Sequence, residues 1–425
     1  MEVERTELGE DPAALARDLR AGGPGGDAAV EGRVREIIDR VDRDGDEAVL
    51  ALTSALDTGG GAPEPLRVGA GELAAARRDI PPELEDALER AAANVRAVAE
   101  AEIGADTEVT GAEGQRIRVR ELPVRRAAVY APGGRAPYPS TVVMGAVTAQ
   151  VAGVEEVVVC APPGPAGAHP AILGACALLG VEEVYRMGGA QAVAALALGT
   201  RAVAAVDVIV GPGNAYVQEA KRLLAHRVGI DGFAGPSELL VLAGPGAEAP
   251  LVALDLLAQA EHGPGSIVAL VATEPAVLDA VAAELDRLDA TAATADRCVL
   301  ALAASAEAAL AFAEALAPEH LELVGAEAEA LAPRVSRAGC LFVGATGATA
   351  FGDYVAGSNH VLPTGGAARF ASGLSPRHFR RRMTEVRIGD AAAALAGPGA
   401  VIARAEGFER HAESMEARMG ENPAP

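Results

Sequence analysis

The sequence predicts an α/β fold with two parallel-sheet domains, both incomplete Rossmann-like folds, one inserted in the other, plus helical N- and C-terminal pieces. Four short apolar runs without alternation are separated by helical stretches: Ala127–Tyr130, Val157–Cys160, Val184–Met187 and Val206–Val210. Such runs are typical of parallel strands that are covered on both faces. A second series of strands and helices follows from Leu239 to about residue 350, and the 425 residues have room for two or three domains.

Thr58–Pro65 is a breaker cluster between two predicted helices, and from Arg125 the pattern changes to short apolar strands. The amphipathic stretch Pro82–Ala101 is predicted to be a helix, because a proline is favoured at the first helical position. The predicted pieces are an N-terminal helical arm, a first α/β domain in two segments, an inserted α/β domain and a C-terminal helical piece: residues 1–29, residues 30–127 with 238–372, residues 128–237 and residues 373–425.

Composition and charge exclude several classes of protein. The chain has 36 basic and 59 acidic residues and a net charge of −23, so its general surface is unsuited to nucleic acid or an anionic membrane. The 4 cysteines are far apart, which is typical of a reducing compartment, and none has a sequence context that would activate a thiol. The N-terminal stretch has no apolar signal region, and prolines interrupt the long uncharged stretches. We therefore expect a cytoplasmic protein that binds neither nucleic acid nor membrane.

A Gly-rich turn, Gly211–Gly213, lies between an apolar strand and a helix, where backbone N–H groups are able to hold a phosphate. The turn departs from the dinucleotide pattern G-x-G-x-x-G, because Tyr216 stands at the third glycine position. An acidic residue, Asp231, does follow about twenty positions later. Nucleotide binding and a plain tight turn are both compatible with these residues.

Gln259 and His262 are three residues apart at the predicted C-terminal turn of a helix, so their side chains share one face. The negative end of the helix dipole favours a cation there, and imidazole is a common metal ligand. A histidine that caps its own helix end is the alternative.

Adjacent Glu319 and His320 follow a proline that must end an Ala-rich helix. A carboxylate and an imidazole side by side suit a proton acceptor and an activator of water, although an exposed polar turn is also possible. Asp353 and His360 lie in a glycine-punctuated loop that either holds a site or forms Asn/Asp turns. His411 lies on a charged helix, where a solvated face is the default.

Seven segments together closely resemble histidinol dehydrogenase, and they occur in the family's order over about residues 120–365. They are Tyr130–Gly134 with Pro139–Thr141, Gly188–Gln191, Gly211–Asn214, Ala234–Glu238, Gln259–Pro264, Pro318–Leu321 and Gly352–Thr364. One departure is Ala317, where the family usually has glycine before this Pro-Glu-His-Leu segment. Glu406 and His411 are aligned with the family by their spacing of five alone.

The resemblance implies an enzyme that oxidises L-histidinol to L-histidine through histidinal, with zinc and two NAD. It implies catalytic roles for Glu319 and His320. The implied zinc ligands are Gln259, His262, Asp353 and His411, the last donated by the other subunit of a homodimer with shared active sites. The implied NAD contacts are Tyr130, Gln191 and Asn214. The implied surroundings of the substrate are Ser237, Gln259, His262, His320, Asp353, His360, Glu406 and His411.

By the same resemblance, the first domain would hold the metal and catalytic residues, the inserted domain would bind NAD, and the C-terminal piece would contact the second subunit. We hypothesise that His320 removes the hydroxyl proton and that Glu319 activates water to hydrate histidinal. Two alternatives are a zinc-dependent hydrolase on the same fold, with Glu319 as the base, and a non-catalytic relative that keeps the fold.

Overall fold

A computed structural model describes residues 1–20, 28–61, 64–133, 136–164, 167–288 and 294–419. Gly134, at the end of one segment quoted above, lies outside the described residues, as do the last residues of the predicted C-terminal piece. The chain divides into two units, the first made of Met1–Glu102 and Val124–Phe379, the second of Ile103–Pro123 and Arg380–Pro425. None of the helices that the structure describes is long and apolar enough to cross a membrane.

The strands and helices follow each other closely along the chain. The strands are β1 (Glu2–Glu7), β2 (Thr107–Thr110), β3 (Arg116–Pro123), β4 (Arg126–Tyr130), β5 (Glu156–Ala161), β6 (Glu183–Arg186), β7 (Val208–Val210), β8 (Gly229–Ile230), β9 (Glu238–Ala243), β10 (Ile267–Ala272), β11 (Arg297–Leu302), β12 (His320–Val324), β13 (Cys340–Val343) and β14 (Arg380–Arg387). The helices are α1 (Pro12–Arg20), α2 (Ala28–Asp44), α3 (Asp46–Leu56), α4 (Ala70–Asp79), α5 (Pro82–Glu102), α6 (Pro139–Ala152), α7 (Pro170–Leu178), α8 (Gly189–Leu198), α9 (Ala215–Leu224), α10 (Ala249–Ala260), α11 (Pro275–Arg287), α12 (Ala306–Leu316), α13 (Ala326–Glu329), α14 (Thr349–Tyr354), α15 (Ala392–Ala405) and α16 (Glu409–Glu416). Short 3₁₀ turns lie at Ala332–Arg334, Ala367–Arg369, Pro376–Phe379 and Gly389–Ala391.

Three sheets organise the described part of the chain. Sheet 1 has the order β1-β11-β10-β9-β12-β13 and sheet 2 the order β6-β5-β4-β7-β8. Every pairing in these two sheets is parallel. Sheet 3, in the second unit, is antiparallel with the order β14-β3-β2. The predicted α/β fold with two parallel sheets is therefore confirmed, and the segments of sheet 2 lie in the chain between β1 and β9 of sheet 1.

The apolar strand runs that predicted parallel sheets are mostly buried, with exceptions such as half-buried Val157 and exposed Asp207. All residues of β9 and β10 in sheet 1 and of β4 in sheet 2 are buried. The covering helices α6 and α8 are buried almost all round, because sheets and other helices pack against several of their faces. Their cores are aliphatic, as expected for a chain with 3% aromatic residues.

The predicted N-terminal helical arm is wrong at its start, because Glu2–Glu7 forms strand β1 and pairs in parallel with β11. The stretch is polar and mostly half-exposed or exposed. It lacks the apolar character that would have marked it as a strand, and its hydrogen bonds come from the neighbouring strand. The predicted C-terminal helical piece likewise contains strand β14, whose arginine-rich sequence gives no strand signal.

The helices between residues 28 and 102 pack on sheet 2, whereas the sequence placed them in the domain of sheet 1. Val34 and Val49 share a core with Ala128 of β4. Val95 of α5 lies in the core that surrounds Val129, on the other face of the same strand. An amphipathic pattern shows that a helix has an apolar face, but it does not show which sheet covers that face.

Candidate active site

A buried carboxylate and imidazole lie at the amino end of strand β12. Helix α12 ends at Leu316, the next residue, Ala317, adopts a left-handed conformation (φ 43°), and Pro318 then leads directly into Glu319 and His320. Glu319 is 7% exposed and His320 is 2% exposed, so the alternative of an exposed polar turn is wrong. The parallel register sets His320 opposite Leu239, which brings the start of β12 beside Ser237 and Glu238.

The Glu319 carboxylate is fixed by donors from the neighbouring strand. The hydroxyl of Ser237 donates to Oε2 of Glu319 at 2.6 Å, and the backbone N–H of Glu238 donates to the same oxygen at 2.9 Å. In return, the backbone N–H of Glu319 donates to Oε2 of Glu238 at 3.2 Å. Hydrogen bonds to a charged carboxylate are short and strong, so the geometry holds Glu319 in one orientation.

The His320 ring is oriented by the same strand. Its Nδ1 lies 3.0 Å from the carbonyl oxygen of Glu238, which is able only to accept, so Nδ1 carries the hydrogen. The opposite nitrogen, Nε2, is buried without a hydrogen-bond partner and lies 3.6 Å from Oδ1 of Asp353. Burial opposes the charged ring, but the Glu319 and Asp353 carboxylates outweigh it and raise the pKa of His320 to about 9. The nitrogen that gains or loses a proton, Nε2, therefore faces Asp353.

Asp353 and His360 come from the glycine-punctuated loop region and meet beside His320. Asp353 lies on α14, and its backbone carbonyl accepts a hydrogen bond from Nδ1 of His360 at 2.8 Å. The other ring nitrogen of His360 lies 3.1 Å from Oγ1 of Thr141, which leaves this imidazole bonded on both sides. Burial lowers the pKa of His360, so its ring is neutral. The segment therefore brings Asp353 and His360 beside His320, and their role in a site stays a prediction.

Gln259 and His262 lie at the end of α10, near the same cluster. The sequence placed His262 on the last turn of this helix. The helix ends at Ala260, so His262 lies in the turn that follows it. Gln259 is 3% exposed, and its Nε2 has no hydrogen-bond partner. Burial raises the pKa of Asp353, but the imidazoles of His320, His360 and, with the smallest effect, His262 lower it overall. Among the described residues, no group of three or more His, Cys, Asp or Glu side chains is gathered closely enough to hold a metal ion.

The three candidate NAD residues lie where strands of sheet 2 end or the following helices begin. The hydroxyl of Tyr130, the last residue of β4, accepts the backbone N–H of Gly189 at 3.0 Å. Gln191 is fully buried, and its amide donates to Oδ2 of Asp57 at 3.2 Å. Asn214 caps α9, because its side chain accepts the N–H groups of the first helical turn.

The Gly211 turn is shaped by a buried ion pair. The ammonium of Lys221 donates to Oδ1 of Asp231 at 2.7 Å, and the backbone N–H of Gly211 donates to Oδ2 of Asp231 at 2.6 Å. A Cβ at Gly211 (φ 111°) would lie 2.2 Å from the carbonyl oxygen of Tyr130, so glycine is required there. Asp231 therefore uses both oxygens inside the protein, which removes it as a candidate ligand for a ribose.

Glu406 and His411 belong to the second unit of the chain. Glu406 follows α15, while His411 lies on α16 with its ring centroid 5.1 Å from that of Phe408. Both side chains are exposed. Their participation in metal or substrate binding stays a prediction.

The cysteines agree with the expectation that no thiol acts as a nucleophile. Burial raises the pKa of the Cys160 thiol and of the Cys298 thiol to about 12 each. A thiol with such a pKa is almost entirely protonated at neutral pH, and the thiolate is the reactive form.

Three residues of the site were missed at the level of sequence. Asp57 accepts hydrogen bonds from Gln191 and from the backbone N–H of Gly188, but it lies in a loop without any motif. Glu238 and Thr141 lie within segments quoted above, but no motif distinguishes them from their neighbours. Their polar side chains were the available signal, because a buried polar group must find a hydrogen-bond partner.

The fold and the site define an α/β enzyme with a buried carboxylate–imidazole pair near a glycine-rich sheet edge. A family model described as Histidinol dehydrogenase matches residues 25–419. The histidinol dehydrogenase of Synechococcus sp. is 45% identical over 399 residues, which cover 92% of each chain. That of Halobacterium salinarum is 44% identical over 405 residues, which cover 92% of this chain and 93% of the relative. The chain therefore belongs to the histidinol dehydrogenase family.

A solved structure agrees with this membership. The crystal structure of histidinol dehydrogenase from Elizabethkingia anophelis superposes with a TM-score of 0.90 and 30% sequence identity. The match covers 99% of this chain and 98% of the other. The similarity therefore extends over both units.

Proposed function

We propose that this chain oxidises L-histidinol to L-histidine through histidinal, with reduction of two NAD, in histidine biosynthesis. Family membership supports the substrate, since the relatives described above are named histidinol dehydrogenase. The observation that carries the chemistry is the buried pair Glu319–His320, whose hydrogen bonds leave Nε2 of His320 without a partner. A buried, oriented pair of this kind suits two successive proton transfers.

In the first oxidation, Nε2 of His320 accepts the proton of the histidinol hydroxyl as a hydride leaves the carbon. The Glu238 carbonyl holds the ring in the tautomer that this step needs. The carboxylate of Asp353 would be neutralised as a metal ligand, which lowers the pKa of His320 toward the range where a neutral ring accepts protons.

In the second oxidation, Glu319 takes a proton from a water molecule that adds to the histidinal carbonyl. The hydrated aldehyde then loses its hydride, its remaining hydroxyl proton passes to solvent, and the carboxylate of histidine forms. Ser237 and the N–H of Glu238 keep one oxygen of Glu319 occupied throughout, so the residue is held in place for this step. The protonated cysteines are not needed, since water replaces a thiol nucleophile.

A zinc ion would be held by Gln259, His262 and Asp353, with His411 of the partner subunit as the fourth ligand in a homodimer. The residues fit such an ion: the set offers an amide, two imidazoles and a carboxylate, and the buried amide of Gln259 has an end without a protein partner. Rotation of that amide by half a turn exchanges its nitrogen and oxygen. When bound, zinc acts as a Lewis acid and orients the alcohol.

NAD would contact Tyr130, Gln191 and Asn214, which accompany the Gly211 turn at the edge of sheet 2. The amino ends of α8 and α9 lie there, and helix N-termini favour anionic groups. NAD accepts the hydride of each oxidation. The free cysteines support a cytoplasmic location.

Purified protein tests the proposal directly. We expect two NADH per histidinol, zinc in the protein, and loss of activity with a chelator that added zinc restores. His411→Asn should lower zinc content and activity, whereas Arg410→Gln, at the neighbouring exposed position, should not. Zinc-dependent hydrolysis without NADH would favour the hydrolase, and neither activity would indicate a non-catalytic relative.

A further inference from the structure

The side chain of Glu238 is buried between the catalytic pair and a glycine turn, although it has no role in the proposed chemistry. It is 2% exposed. Its Oε1 accepts the backbone N–H of Gly365 at 3.0 Å, and its Oε2 accepts the backbone N–H of Glu319 at 3.2 Å. Together with its own N–H and carbonyl, which bind Glu319 and His320, Glu238 contacts both members of the pair.

The carboxylates of Glu238 and Glu319 are both buried and close together, so their like charges repel each other. Burial favours the neutral form of Glu238 and raises its pKa to about 7, and the charge of Glu319 acts in the same direction. The opposing influence comes from Arg20, whose Nε lies 3.8 Å from Oε1 of Glu238. That nitrogen is buried and has no hydrogen-bond partner, so its interaction with Glu238 is one of charge.

Arg20 reaches this position from the last turn of α1, near the N-terminus. Its Nη2 donates to the carbonyl oxygen of Leu316, at the end of the helix that leads into the catalytic pair. The guanidinium also packs on Gly366, where an added Cβ would lie 2.7 Å from Nη1. Arg20 therefore contacts the helix before Glu319 and the turn that binds Glu238.

We propose that Glu238 and Arg20 are positioning residues for the Glu319–His320 pair. Glu238 holds the backbone of Glu319 and the ring of His320 in place, while Arg20 provides the positive charge opposite the buried carboxylate of Glu238. This inference rests on the proposed function only for the step that it affects, the activation of water by Glu319. Without the guanidinium, the Glu238 carboxyl takes up a proton more readily and accepts the N–H of Glu319 less strongly, so Glu319 is held less firmly for activating water.

The kinetic test compares Arg20→Gln with Arg17→Gln. Arg17 lies on the same helix in an exposed ion pair with Asp11 at 2.9 Å, which makes it a matched control. We expect Arg20→Gln to lower kcat for histidinal oxidation about tenfold, the effect of one charge-assisted interaction, with an unchanged KM for NAD. Arg20→Lys should recover part of the rate, and Arg17→Gln should match the wild type. Equal rates in Arg20→Gln and Arg17→Gln would overturn the role of Arg20.

A second measurement does not depend on turnover. In protein labelled with ¹⁵N-histidine, the Nδ1–H of His320 gives a buried imidazole signal, assigned by its loss in His320→Asn. Glu238→Gln should shift this signal and lower kcat more than Arg20→Gln does, because an amide N–H₂ would face the donors of Gly365 or Glu319. An unchanged signal in Glu238→Gln would refute the positioning role even if the enzyme makes NADH. Conversely, a wild type without NADH formation would refute the proposed function, while the signal still decides the positioning role.

Discussion

The two parallel sheets of the first unit bring opposite edges to the candidate active site. Sheet 2 presents the carboxyl ends of its strands, with Tyr130 at the end of β4 and Gly211 after β7. Sheet 1 presents amino ends, since Glu238 begins β9 and His320 begins β12. The hydrogen bond between Thr141, at the start of α6, and His360 joins the two regions at 3.1 Å.

The difference in strand direction gives the two regions opposite electrostatic character. At the edge of sheet 2, helices α8 and α9 begin, and their N–H groups favour an anion such as a dinucleotide phosphate. At the edge of sheet 1, helices α10 and α12 end, and their carbonyl groups favour a cation. Ligands of α/β sheets usually bind at carboxyl ends, so the amino edge of sheet 1 is the unusual half of the site.

The largest effect is expected at the amino edge. Glu319→Gln should reduce histidinal oxidation by about 10²–10⁴-fold, the usual contribution of a general base, and should affect histidinol oxidation far less. Steady-state rates with each substrate give the comparison, and NAD binding should stay unchanged because its proposed contacts lie on sheet 2. Equal losses in the two steps would remove the assignment of Glu319 as the activator of water.

At the carboxyl edge, the ion pair under the Gly211 turn should dominate stability. Lys221→Met leaves the carboxylate of Asp231 buried without its cation, which costs about 3–5 kcal/mol of unfolding free energy. The two side chains are 1% and 7% exposed. Arg222→Met removes the neighbouring exposed pair with Glu219 and should cost less than about 1 kcal/mol. Denaturant unfolding of both variants checks the prediction, which a similar loss in each would contradict.

Asp57 should make stability depend on pH at the same edge. Burial raises the pKa of Asp57 to about 6, above its ordinary value of 3.8. Because the folded state disfavours the ionised form, wild-type stability should decrease as pH rises through this interval. Asp57→Asn keeps an oxygen acceptor for Gly188 and Gln191, so it should be about 1–2 kcal/mol more stable than wild type at neutral pH. The stability advantage of Asp57→Asn should vanish near pH 3.8. If the variant and the wild type differ in unfolding free energy by the same amount at that pH and at neutral pH, ionisation of Asp57 is not the cause.

The smallest effect concerns the turn before the catalytic pair. Ala317 has a positive φ of 43°, where glycine avoids the Cβ strain of the left-handed region. Ala317→Gly should raise the unfolding free energy by about 0.5–1 kcal/mol. Ala315→Gly, inside α12, should lower it by about 1 kcal/mol. Thermal unfolding of the two variants distinguishes backbone strain at Ala317 from a general effect of glycine, because only strain predicts changes in unfolding free energy of opposite sign.

Much of the fold could be predicted from local patterns. The apolar runs at β4, β5 and β11 identified parallel strands, because strands buried on both faces do not alternate. Strands β1 and β14 could not be predicted in this way, since their polar sequences obtain their partners from distant strands. The sequence also does not show which sheet covers α2 and α5, because that depends on contacts with residues far along the chain.

The sequence by itself determined the α/β class, the family and the residue types of the catalytic pair, since these depend on periodicity and on short motifs. Only the tertiary structure decided that Glu319 is held by Ser237 and Glu238, that Asp231 is occupied by Lys221, and that Arg20 approaches Glu238. These contacts join residues that are far apart in the chain or lie on different elements. Their geometry follows from strand register and helix packing, which no local pattern encodes.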